Sequence, residues 1–99
     1  MIHKIAEIEV ISGTETAFEA AVAEAAVYFR TARGCRSFVL NRVIENPQSY
    51  YLIVGWDNID DHVEHFRKSL NFQAWTYFVK RYLVSEPKIV HVEAVVKSF

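Results

Sequence analysis

Ninety-nine residues carrying a net charge of −1 at pH 7, with 52% hydrophobic, 14% aromatic and 23% charged side chains, make one domain able to bury its own core. No basic run accompanies that balance, so binding to a phosphate backbone is not expected. No 18-residue apolar stretch or signal-peptide pattern appears, so the chain reads as cytoplasmic, with no membrane partner. Cys35, the sole cysteine, has no internal partner for a disulfide, which suits a reducing compartment. Its plainest role is a small buried hydrophobe at a strand start.

In chain order, "IHKIAEIEVI" (2–11) alternates, with Ala6, Ile8 and Val10 on one side and Glu7 and Glu9 on the other. That is the pattern of a half-buried strand. Ser12 and Glu15 are spaced as a capping box around the turn at Gly13. The spacing of Phe18, Ala21, Val22, Ala25 and Phe29 predicts one helix over 15–32, ending at Gly34. "CRSFVLNRVIE" (35–45) and "YYLIVGWD" (50–57) predict a hairpin joined by "NPQS". In the second strand Tyr50, Leu52, Val54 and Trp56 share one face, and Tyr51 and Ile53 share the other.

A helical stripe of Ile59, Val63, Phe66 and Leu70 follows, with Asp60 and Asp61 at its N-terminus, where the helix dipole favours acids. Ser69–Asn71 interrupts it. "FQAWTYFVKRYL" then brings Phe72, Trp75, Phe78, Val79 and Tyr82 inward, and Pro87 closes the helical region. "KIVHVEAVVKSF" (88–99) predicts a last strand, with Val90, Val92 and Ala94 opposite His91, Glu93 and Val95.

The order β-α-β-β-α-β, with sequential pairing and right-handed crossovers, favours the ferredoxin-like α+β fold. In that fold a four-stranded antiparallel sheet carries both helices on one face. The other face, with Tyr51 and Ile53, is then left to water. A second subunit covering it would gain about 25 cal/mol per Å² of apolar area, so a homodimer is expected.

"AEIEVISGTETAFEAA", "GCRSFVLNRVIENPQSYYLIVGWDN" and "DHVEHFRKSLNFQAW" together resemble the antibiotic biosynthesis monooxygenase (ABM) domain, a family of small dimeric α+β barrels. The resemblance covers nearly the whole chain and implies a single domain over 1–99. It also implies head-on packing of two sheets and one pocket per subunit between sheet and helices. In its characterised members the family oxygenates phenol, quinol or polyketide-like rings without a cofactor. Trp56 matches the family's strand-end tryptophan, which lines the pocket. His65 falls at a position that commonly holds a pocket-facing His or Trp.

The chain departs from the family in two places. Some ring-oxidising members carry an Asn where this chain has Leu52. Haem-degrading members use a first-strand Asn and a Trp where this chain has Ala6 and His65, which disfavours haem breakdown.

His65 and Trp56 are therefore the expected catalytic residues, and His62, Leu52, Phe66 and Trp75 the expected substrate contacts. Oxygenation without a cofactor needs an electron-rich anion to meet O₂, and a His near its ordinary pKa of ~6.5 can take the phenolic or enolic proton. The structural alternative for His65 is a hydrogen-bonded residue at the core edge. For Trp56 and Trp75 it is plain packing, though a Trp also offers an indole N–H.

His62 and His65 at i, i+3 are half a metal site, which Asp61 or His91 could complete. Nothing in the spacing requires that, so neither metal nor cofactor is expected. Tyr77 and Tyr82 read as interface or surface aromatics, Arg67 and Lys68 as a solvated face, and His91 and Glu93 as same-face strand residues with a structural role, pairing across the sheet or the dimer. Two functions stay open: a monooxygenase acting on an aromatic or quinol-like small molecule, and a non-catalytic dimeric module that binds one. An RNA-binding sheet would need a basic strand with exposed aromatics, which "YYLIVGWD" does not supply.

Overall fold

Alternating side chains define the sheet. In the computed structural model, which describes residues 1–99, β1 (Ile2–Glu9), β2 (Cys35–Val43), β3 (Asn46–Trp56) and β4 (Lys88–Val92) form one antiparallel sheet in the order β2-β3-β1-β4. Helices α1 (Glu15–Ala25), α2 (Val27–Arg30) and α3 (Leu70–Val79) pack on one face. This is the expected ferredoxin-like plan.

The core lies between that face and the helices. Ala6, Ile8, Tyr50, Leu52, Val54 and Trp56 supply the sheet side, and Phe18, Val22, Ala25, Phe29, Trp75 and Val79 the helix side. Phe29 is the hub. Its ring centroid lies 4.5 Å from Phe66, 4.9 Å from Phe38 and 4.9 Å from Trp75.

Four elements differ from expectation. First, the single helix over 15–32 is broken at Ala26. Ala26 keeps helical dihedrals, but Phe29 N–H bonds the Ala26 carbonyl three residues back, which tightens the turn. Gly34 then reverses the chain at φ +76°. A Cβ there would lie 2.1 Å from Asp61 Oδ2, so the position needs glycine on two counts.

Second, the hairpin turns at Ile44–Glu45, not at "NPQS". Residues 46–49 extend β3 instead. The register slips between Arg42 and Val43, and the extension pairs with the other neighbour: Glu9 faces Ser49, and Val10 N–H bonds the Gln48 carbonyl at 2.9 Å. Pro47 fits there because the β2 side of the bulge asks it for no N–H.

Third, the segment before α3 is not a regular helix. Asp61–His65 forms one π-helical turn and Phe66–Lys68 one 3₁₀ turn; Ser69 then caps α3, its Oγ accepting from Phe72 N–H at 3.2 Å. A π turn holds more residues than an α turn, so the inward face shifts. Asp61, His62 and Phe66 are buried, whereas Ile59 and Leu70 are exposed.

Fourth, β4 stops at Val92. His3 pairs with Val92, so the chain runs off the N-terminal end of β1 within two residues. Glu93 therefore lies outside the strand and shares no strand face with His91. Val95, Val96 and Phe99 are exposed. The sheet face away from the helices is open as well, with Val39, Tyr51, Val90 and Val92 exposed on it.

Candidate functional site

The alternation that buries Ala6 and Ile8 also buries Lys4, which is in phase with them. Pairing across the sheet sets Phe38, Val54, Lys4 and His91 in one row on the helix side. Lys4 is 3% exposed. Its Nζ sits 5.0 Å from the Phe29 ring centroid, a cation–π distance. No carboxylate pairs with it. Burial pushes its pKa down to about 8; Cys35 opposes this, and the Arg67 charge adds to it.

His91 brings the next group. His62 Nδ1 and His91 Nε2 are 2.8 Å apart, so one ring donates and the other accepts. His62 is 1% exposed and lies against Trp56 and Phe66, with ring centroids 5.4 and 6.2 Å away. Burial, then the charge of Lys4, hold its pKa down to about 3. Burial and the same charge lower that of His91. Both rings are therefore neutral near pH 7.

A cavity of about 540 Å³ opens between β1, β4 and α3. Ala6, Leu52, Phe72, Trp75 and Val79 give it apolar walls. Lys4 and Arg67 are on its lining, the Arg67 charge near enough to lower the Lys4 pKa, and Lys80, Glu86 and Pro87 join them from the chain between α3 and β4. An apolar cleft with a few polar groups is the ordinary form of a small-molecule site.

The expected site residues separate into two groups. Leu52 and Trp75 line the cavity. His62, Phe66 and Trp56 are packed in the core beside it, where Trp56 is fully buried with an indole N–H that has no acceptor. His65 was expected to face the pocket; it is exposed and does not line the cavity. The π turn is the reason, since it rotates His62 inward and His65 outward.

Asp61 is turned to Arg33, 3.4 Å away. No three His, Cys, Asp or Glu side chains converge as metal ligands. Tyr77 is exposed and Tyr82 half-buried against Phe18.

Sequence reading missed Lys4 and Arg67. Lys4 was legible, because the period-2 pattern of β1 extends back through it. Arg67 was not, because its place at the cavity follows from a 3₁₀ turn that periodicity does not announce.

Residues 1–76 match the family model described as antibiotic biosynthesis monooxygenase. The Bacillus subtilis (strain 168) protein YczJ is 30% identical over 95 residues, which cover 96% of this chain and all of that one. A crystal structure from Bordetella bronchiseptica that carries the family's name is 42% identical. It superposes with a TM-score of 0.93 over 96% of this chain and 97% of its own. A Nitrosomonas europaea structure of the same designation, at 15% identity and a TM-score of 0.82 over 95% of this chain and 89% of its own, shares the fold.

Proposed function

The chain belongs to the antibiotic biosynthesis monooxygenase family, and from that premise we propose that it is a cofactor-independent monooxygenase acting on an aromatic, quinol or polyketide-like ring. The observation that carries this reading is the cavity between sheet and α3, walled by Leu52, Phe72 and Trp75. Its volume and apolar walls suit a ring-sized molecule.

The reaction balances without a cofactor when a ring methylene becomes a carbonyl. One atom of O₂ enters the carbon. The other leaves as water with the two methylene hydrogens, and the carbon supplies all four electrons. The ring must first give up a proton, because O₂ takes an electron from an anion far more readily than from a neutral ring. The neutral His62–His91 pair is the basic group beside the cavity, and the Lys4 ammonium would stabilise the ring anion that forms. That pair takes the role in proton handling that the sequence suggested for His65. Trp56 would contribute rigidity through its contacts with His62 and Phe66, its ring centroid 5.2 Å from the latter.

Oxygen uptake by purified protein, screened across quinols, catechols and polycyclic phenolic ketones, tests the reading. We expect uptake on at least one class. Trp75→Ala, which removes the wall, should abolish it, and His65→Ala should stay within a few-fold of the wild type. Loss of activity in His65→Ala with a retained fold would return the catalytic role to His65.

A second reading has a specific observation behind it. Leu52 lines the cavity where a polar side chain would orient a ring for oxidation. A non-catalytic dimeric binding module would use the same cavity, and binding of a ring without oxygen uptake identifies that case.

A further inference from the structure

We propose that the cavity is built for an acidic ring compound, one that carries a carboxylate or comparably acidic group and is anionic near neutral pH, held by Lys4 and Arg67. The inference rests on the reading that the cavity takes a small ring and adds the charge of its occupant.

Lys4 is the principal observation. A buried ammonium is costly to keep unless an anion or several acceptors face it. Lys4 is 3% exposed, on a central strand, and lines the cavity with no carboxylate paired to it. Its ammonium lies over the face of Phe29.

A second, independent feature is Arg67, which lines the same cavity from the 3₁₀ turn and makes no ion pair with any carboxylate. The four ion pairs of the molecule, Arg33–Asp61, Arg36–Asp57, Arg42–Glu19 and Lys68–Glu64, all lie elsewhere. The neighbouring His62 and His91 bond each other and offer Lys4 no negative charge. Lys4 and Arg67 thus face the apolar walls without an ion-pair partner, and the one carboxylate on the lining, Glu86, lies with Lys80 in the chain between α3 and β4. A ligand that sets its ring against Trp75 and Phe72 and its acid against Lys4 and Arg67 satisfies both ends at once. An anion placed between an ammonium and a guanidinium would be held by charge-assisted hydrogen bonds, the stronger kind. A neutral ring would fill the walls and leave both cations unpaired.

The test compares 2-naphthoate with 2-naphthamide, which has the same shape and no charge. Calorimetry at pH 7 on the full chain gives both affinities. We expect naphthoate to bind at least tenfold more tightly. Lys4→Met keeps length and apolarity and should remove the preference; Arg67→Gln, at an exposed residue, should reduce it without affecting folding. Equal affinity for the two probes, or a preference that survives in both variants, overturns the proposal.

The readout is binding, so it separates from the oxygenase reading. A charge preference without oxygen uptake on any ring leaves this inference standing and sinks catalysis. Oxygen uptake on neutral rings, with no gain from an acid group, does the reverse.

Discussion

At the scale of single residues, Lys4 and His62 make pH-dependent predictions of different kinds. Lys4 has its pKa lowered from near 10.5 to about 8. Between those values the unfolded chain holds a proton that the folded chain has released, so stability rises with pH across that window. The penalty for burying the charge is fully present below about pH 8 and fades towards 10.5. It is on the order of 3 kcal/mol when the whole shift is counted. Lys4→Met should therefore raise stability at pH 7 by roughly 1–3 kcal/mol in urea denaturation and lose the upward slope above pH 8. A less stable variant at pH 7 would show that the cation–π contact with Phe29 outweighs burial.

His62 behaves in the opposite part of the scale. Its folded pKa of about 3 lies below the ordinary 6.5, so its contribution is complete above pH 6.5 and is lost as pH falls towards 3. Glu19 and Asp57, held low first by hydrogen bonds from Arg42 and Arg36, shed their contributions below about 4.5 and 3.8. A stability loss between pH 6.5 and 4.5 therefore belongs mainly to the His62–His91 pair, and His62→Leu with His91→Leu should flatten it in thermal melts. An unchanged slope in the double variant would assign the loss to other groups.

At the scale of elements, the loop from Asp57 to Ser69 decides the site. Its anchors are few and testable. Asn58 Oδ1 accepts from Asp61 N–H at 3.0 Å, and Asp61 packs into the space that Gly34 leaves. Gly34→Ala meets both a positive φ and the Asp61 carboxylate, so it should destabilise by more than about 1 kcal/mol and disturb the π turn that holds His62 inward. Ser69→Ala removes the N-cap of α3 and should cost about 1 kcal/mol. Both values come from denaturant midpoints. A neutral Gly34→Ala would mean that Asp61 rotates away freely.

The strands of the hairpin were readable because side-chain alternation follows from strand geometry alone. Their turn was not. "NPQS" has strong turn chemistry, yet β1 offered residues 46–49 a ladder partner, and pairing with Gln48 and Ser49 prevailed over local preference.

At the scale of the molecule, the unsolved surface is the far side of the sheet. Val39, Tyr51, Val90 and Val92 are exposed there, with Ile5 and Ile53 half-buried among them. An apolar patch of this kind on a small domain marks an interface. We expect a homodimer, with a mass of twice 11.5 kDa by light scattering at micromolar concentration. A mass of 11.5 kDa would leave the face without a partner of its own kind. Truncation after Pro87 removes β4 and bares the edge of β1, which should cost solubility or the dimer. A stable dimer after that cut would place the interface on β2 and β3.

The sequence by itself determined the sheet, its order, the helix stripes and the family. Those depend on periodicities of two and 3.6 residues and on connection rules that any chain of this pattern obeys. It also placed Leu52, Trp75 and the aromatic core, because burial follows the same periods. Only the tertiary structure decided which histidine faces inward. His62 and His65 lie three residues apart on one turn, and a single extra residue in that turn exchanges their surroundings. Only the tertiary structure, likewise, set Arg67 beside Lys4 across 63 positions of chain. No local pattern encodes that meeting. It follows from α3 and β4 closing over β1, where an unpaired charge that looks ordinary in the sequence becomes the least ordinary group in the fold.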